Sequence, residues 1–206
     1  MKVSKPQVKL DHVVIFSDAI FAFSITIVLL SIPIPQLPTN LDEEQIQAKL
    51  RDMIPYFESY AISFAVIGIY WISYHKVFNK IIGSHPVMVG LNLIFLFFVT
   101  LISLFTILDI QYGSYRTVFI LYAMVLTLTG STLTFIWLHA GKIGLLHNDL
   151  SLSIKRHILI QMIVSPVIFL ISIPISLIHV DVAQYFWLAI IPVNIIIGQK
   201  HRFENI

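Results

Sequence analysis

The chain has 206 residues, of which 57% are hydrophobic and only 12% charged, with a formal net charge of +2. A water-soluble domain of this length needs a far more polar surface, so the composition describes an integral membrane protein with little room for a soluble domain. The absence of cysteine excludes disulfides and thiolate chemistry.

Six apolar runs follow one another, at residues 13–32, 56–74, 87–108, 117–138, 158–178 and 180–198. Each is near the ~20 residues that span a bilayer as helix. The predicted fold class is therefore an all-α integral membrane protein, a single domain over 1–206 with six transmembrane helices. Lysines ahead of the first run superficially resemble a signal peptide. That run is too long, contains Asp18 and ends in Ile32-Pro33-Ile34-Pro35 without a small-residue cleavage site, so it reads as a permanent helix. Asp18, within Phe16-Ser17-Asp18, is the one carboxylate well inside an apolar run. Placing it in hydrocarbon costs roughly 2.5–3.5 kcal/mol even on gentle insertion scales, so it needs partners.

Pro33 and Pro35 end the first helix, because each lacks an N–H and restricts its predecessor. The loop that follows, residues 33–54, is the longest external one. Asn40 with Glu43 reads as a capping box opening a short helix, with Ile46 and Leu50 on one face. Asp42, Glu43, Glu44 and Asp52 make the loop acidic, which we read as a solvated helix face rather than a cation-concentrating rim. Pro166, Pro174 and Pro192 lie in the last two runs and are expected to kink them. These runs meet at His179-Val180-Asp181 in a tight hairpin.

Lysine and arginine report orientation through the positive-inside bias of short loops. With six spans, ten of the 13 fall on one side (Lys2, Lys5, Lys9, Lys76, Lys80, Lys142, Lys155, Arg156, Lys200, Arg202) and three on the other (Lys49, Arg51, Arg116). Both termini are therefore expected in the cytoplasm.

The first run reads His12-Val-Val-Ile-Phe16-Ser17-Asp18, followed by a small residue and Ile25-Thr26-Ile27. It resembles the signature helix of the prokaryotic branch of the transmembrane protein 175 family of potassium channels. That signature is an Arg, three residues, Phe-Ser-Asp and an aliphatic–Thr–aliphatic stretch. Trp71-Ile72-Ser73-Tyr74-His75-Lys76-Val77-Phe78 is similar to the family's Trp-x-x-His-His-x-x-Phe, and Leu91-Asn92-Leu93 leads the third run. The chain departs from the pattern at His12, which replaces the Arg, at Tyr74, which replaces the first His, and at Phe23, where the family usually carries an aliphatic residue. Histidine titrates near neutrality, so an ion pair made by His12 would depend on pH.

At 3.6 residues per turn, Phe16, Ile20, Phe23, Ile27 and Leu30 form one stripe. Asp18, Ala22, Ile25 and Leu29 form another, displaced by roughly 140°. The resemblance implies a homotetramer in which Phe23, Ile27 and Leu30 of the first helices narrow a central potassium path, with the hydroxyl of Thr26 nearby. Apolar rings gate by shedding water. No Thr-Val-Gly-Tyr-Gly filter is present, so selectivity is expected from ring size and hydration and to be less strict. Asp18 then faces its own bundle. We expect a polar network of Asp18 with His75, Asn92 and Ser17, with Phe16, His12 and Trp71 in the same leaflet. A headgroup-level His75 beside Lys76 remains the other reading.

The competing function is a small proton-coupled secondary transporter using Asp18 and His75 as a relay, although repeated halves and interrupted midplane helices are not evident. Zinc-type His spacing, a Gly-x-Ser-x-Gly elbow and paired intramembrane carboxylates are missing, so no enzyme is expected. The expected partners are potassium and other monovalent cations, passing transiently, and the lipid of a prokaryotic cell membrane. No cofactor, resident metal or nucleic acid is expected.

Overall fold

The computed structural model describes residues 8–35 and 42–203, with side chains described through residue 197. In chain order the helices are α1 (Leu10–Leu30), α2 (Glu43–Arg51), α3 (Ile54–Phe78), α4 (Pro86–Tyr112), α5 (Arg116–Lys142), α6 (Leu152–Ser176), α7 (Val180–Phe186) and α8 (Ile190–Phe203). Six segments are long and apolar enough to cross a membrane, so this is an all-α, multi-pass membrane protein. α3, α4 and α5 run beyond both ends of the apolar stretch that identifies them in sequence, and α6 starts before its stretch and stops just short of its end. α4 and α5, at 27 residues, are about 40 Å long and exceed a hydrocarbon core of about 30 Å.

Local chemistry sets the boundaries. α1 stops at Leu30, with Ser31 as its C-cap and Pro33 just beyond. The cap of α2 lies two residues beyond the expected one. Asp42 accepts from the Gln45 N–H at 2.8 Å and Gln45 Oε1 accepts from the Asp42 N–H at 3.2 Å, a reciprocal box that leaves Glu43 as the first helical residue. Asn40 lies outside the described residues. α5 ends in a Schellman motif, with Leu145 N–H on Ala140 O at 2.9 Å and Gly144 N–H on Gly141 O at 3.4 Å. Gly144 takes φ +73°, which a side chain would strain. α6 carries Pro166 and Pro174 inside one continuous helix, whereas the last span breaks into α7 and α8 around a 3₁₀ turn at Trp187–Ala189. Pro192 explains the break: it offers no N–H to the Leu188 carbonyl, and its ring crowds that oxygen. The turn seats Trp187, whose Nε1 donates to Ser172 Oγ at 2.9 Å while its ring stacks on Phe119.

α5 is the most buried span and packs between α4 and α6. Gly130 makes the second contact possible: a Cβ there would lie 2.9 Å from Pro166 Cδ. Gly130→Val should therefore force α5 and α6 apart and cost about 1–3 kcal/mol. A lowered thermal midpoint in detergent is the expected reading, and an unchanged midpoint would show that the helices part freely.

The bundle ends are strapped together. Ile82 N–H donates to Leu145 O at 2.9 Å and His147 N–H to Lys80 O at 3.0 Å, joining the α3–α4 and α5–α6 loops through a single β-bridge, Ile81 with Leu146. Ser84 Oγ donates to the Val8 carbonyl. The segments that carry Lys9, Lys80 and Lys142 thus lie at one end of the molecule.

Candidate functional site: the first helix and its clasp

α1 has two unlike faces. Val13, Ser17, Phe21, Ser24 and Val28 are buried, at spacings of three and four. They meet α4, whose buried Met88, Asn92, Phe95, Val99, Ile102 and Thr106 follow the same 3–4 alternation. The shared alternation marks the packed seam of the two helices, where the small Ser17 and Ser24 let the backbones approach. An adjoining stripe, about 100° around the helix, is open: Phe16, Phe23 (59% exposed), Ile27 and Leu30 (83% exposed) touch little within the chain.

The buried face is fastened at Ser17. Its hydroxyl donates to Val13 O at 2.8 Å and accepts from Tyr74 OH at 2.8 Å and Asn92 Nδ2 at 3.0 Å. One proton and two lone pairs are all used. Because the Ser17 proton goes to its own helix, Asn92 must turn its amide NH₂ toward it. Two turns further along α1, Ser103 Oγ on α4 donates to the Ser24 carbonyl at 2.7 Å. Tyr74 also packs the junction, stacked on Phe78 and Phe95 with Phe21 tilted against it.

Asp18 forms a second branch. Trp71 Nε1 donates to Asp18 Oδ1 at 2.8 Å, and His75 Nε2 meets the same oxygen at 2.8 Å. Trp71 and His75 lie one helical turn apart with rings edge to face, 4.7 Å between centroids. The Asp18 side chain remains 41% exposed, and its other oxygen has no partner among the described residues.

The structure therefore brings Ser17, Asp18, Trp71, His75 and Asn92 together but divides them: Asn92 serves Ser17 and not Asp18. His12 and Phe16 are exposed and bond to neither branch. Thr26 is exposed beside Phe23, with its hydroxyl turned back to the Ala22 and Phe23 carbonyls at 3.1 and 3.0 Å. The sequence reading missed Tyr74, Ser24 and Ser103. The signal was present in the alternating spacing of Ser17, Phe21, Ser24 and Val28. It missed a second buried knot too, in which Thr106 meets Ser63 Oγ and Tyr122 OH, each at 3.0 Å, across α3, α4 and α5.

Ser17→Ala should strand the Tyr74 hydroxyl and the Asn92 amide and destabilise the fold by about 1–3 kcal/mol. Tyr74→Phe, which strands nothing, should cost less than half as much. The order is read from thermal midpoints in detergent; equal losses would contradict the shared-hydroxyl geometry.

The fold and site define a polytopic helical membrane protein whose first helix is clasped along one stripe and presents an open apolar stripe beside it. Residues 12–102 match the family model described as endosomal/lysosomal potassium channel TMEM175. A potassium channel of Streptomyces collinus is 27% identical over 135 residues, 63% of each chain. A potassium channel of a Chryseobacterium species is 32% identical over 91 residues, 44% of each chain. The matched stretch thus spans less than two thirds of these relatives. The crystal structure of a lysosomal potassium-selective channel TMEM175 homolog from Chamaesiphon minutus superposes with a TM-score of 0.73 at 21% identity, over 93% of this chain and 97% of that one. A potassium channel MtTMEM175 variant, crystallised with a nanobody fusion, gives a TM-score of 0.66 at 22% identity, over 97% of this chain and 95% of that one. The fold is thus that of TMEM175 channel structures, and residues 12–102 carry the likeness to the TMEM175 family model.

Proposed function

We propose that this chain is the subunit of a homotetrameric, potassium-permeable cation channel in a prokaryotic cell membrane, with both termini cytoplasmic. The observation that carries the reading is the open stripe of Phe23, Ile27 and Leu30 on a helix whose adjoining face is buried and hydrogen-bonded. One such helix encloses no axial path, but a ring of copies does. In that ring the stripe forms a narrow apolar segment that sheds water around a cation. The Thr26 hydroxyl spends its proton on its own helix, so its oxygen lone pairs are available to a cation beside the Phe23 ring. Ring size and hydration set selectivity. The lysine-bearing loops gathered at one end of the bundle support cytoplasmic termini.

Purified protein in liposomes should pass potassium down its gradient, with slower sodium and caesium flux, and an Ile27→Asn variant should change the ratio. The carrier reading draws on the Asp18–His75 contact. It predicts potassium flux that stops without a proton gradient and turns over at carrier rates. Fast flux without a proton gradient rejects the carrier, and proton-dependent flux at carrier rates rejects the channel.

A further inference from the structure

Another face of α3, away from the clasp, opens onto a groove between α3, α6 and α8. Its inner end is a cavity of about 80 Å³ beneath Tyr70, Gly130 and Phe169. This continues into a trough of about 460 Å³ past Ile69, Met162 and Ile190 to Lys76 and Asn194. From Val66 to Lys76 the groove follows ten residues of helix, about 15 Å. That is half of a hydrocarbon core of about 30 Å, the depth of a single leaflet.

Apolar side chains make up most of the lining. Ser73, Gln161 and Ser165 line both the cavity and the trough, and their side chains make no hydrogen bond to any described residue. Asn194 spends one amide hydrogen on the Ile190 carbonyl at 3.0 Å and keeps the rest of its amide for the groove. At the mouth Lys76 is the only charged lining residue described. Lys155 lies one helical turn before Ile158 on the same face of α6. Donors without acceptors at membrane depth are costly, and a partner that supplies acceptors and a negative charge satisfies all of them.

We propose that this groove binds one anionic phospholipid from the leaflet at the Lys76 end. An acyl chain lies along Ile69, Met162 and Ile190. Ester carbonyls accept from Ser73 and Gln161, and the phosphate meets Lys76 and Lys155. Basic recesses between membrane helices hold anionic headgroups in this manner.

The test is native mass spectrometry of the purified full chain in micelles containing equal amounts of phosphatidylglycerol and phosphatidylcholine. Wild type should retain phosphatidylglycerol in preference by about fivefold or more, the expectation for one lysine at a headgroup. Lys76→Gln combined with Lys155→Gln should bring the ratio to about one, while Lys142→Gln, on a different loop, leaves it unchanged. Ser165→Phe, which fills the trough, should lose both lipids while keeping its elution volume. Equal retention by wild type, an unaltered ratio in the double variant, or an equal fall in Lys142→Gln overturns the proposal. So does dissociation of an oligomer by Ser165→Phe, which would make a second copy of the chain the occupant. None of these readings depends on ion conduction.

Discussion

Phe23→Ala is expected to raise potassium flux through reconstituted protein by about tenfold. In the proposed ring, each subunit contributes one phenyl group to the narrowest apolar segment. A cation crossing it must do so with fewer waters, and the barrier rises with the length and narrowness of the dry stretch. Truncation to alanine widens the ring and rewets it. A tenfold change corresponds to about 1.4 kcal/mol, less than the cost of exposing a single large apolar side chain to water, so the expectation is modest. Discrimination between potassium and sodium should fall at the same time, because ring size sets it. A lipid-facing Phe23 would leave single-channel current and ion preference untouched, and that result would sink the pore assignment. The neighbouring Thr26→Val variant separates the two contributions to the path. It keeps the ring's size while removing the oxygen, so ion preference should alter more than total flux.

Asp18→Ala should have the largest effect on folding. It removes the oxygen on which Trp71 and His75 converge. Two donors, a half-exposed indole and a partly buried imidazole, then lose their acceptor, at about 2–4 kcal/mol in total. The half-exposed position of the carboxylate and the modest worth of polar contacts between membrane helices keep the figure at that level. Asp18→Asn is the informative companion. Its carbonyl oxygen keeps two lone pairs for the same donors, so it should recover most of the folded yield if hydrogen-bond geometry holds α1. If net charge is what matters, it should behave like alanine. Folded yield after detergent extraction and the thermal midpoint report the difference. A Trp71→Phe double-mutant cycle with Asp18→Ala should be non-additive, since both remove the same bond. An Asp18→Ala protein that extracts and melts like wild type would show that the clasp is dispensable.

How much of this was legible beforehand follows from the kind of information each feature carries. Six spans, the stop at Pro33 and the hairpin at His179 follow from runs of apolar residues and from proline chemistry, which act locally along the chain. The opposition of Asp18 to Phe23 follows from the helical period. The α2 cap was misplaced because Asn40–Glu43 and Asp42–Gln45 are both plausible boxes in sequence. Only the backbone conformation at Asp42, extended while Glu43 is helical, chooses between them. Pro192 signalled a distortion. Its outcome, a 3₁₀ turn that seats Trp187 against Phe119, depended on an aromatic pocket assembled from α5 and α6.

The polar clasp divides in the same way. From sequence, Asp18, His75 and Asn92 share a depth, and depth alone allows any of them to pair. The rotation of α4 about its axis delivers Asn92 to Ser17 instead, and the rotation of α3 delivers both Trp71 and His75 to one carboxylate oxygen. Tyr74 reads in sequence as a departure from the family pattern; in the fold it is the fully buried donor that completes Ser17. Hydropathy acts along one chain, so the amino-acid sequence by itself determined the membrane class and the span count. The buried face of α1, with Val13, Ser17, Phe21, Ser24 and Val28, is not the stripe of Asp18, Ala22, Ile25 and Leu29 that the helical period set against Phe23. Hydrogen bonds between helices depend on crossing angle, rotation and separations of a few tenths of an ångström. Those quantities exist only once α1, α3 and α4 have packed, so only the tertiary structure decided which partner each polar group takes.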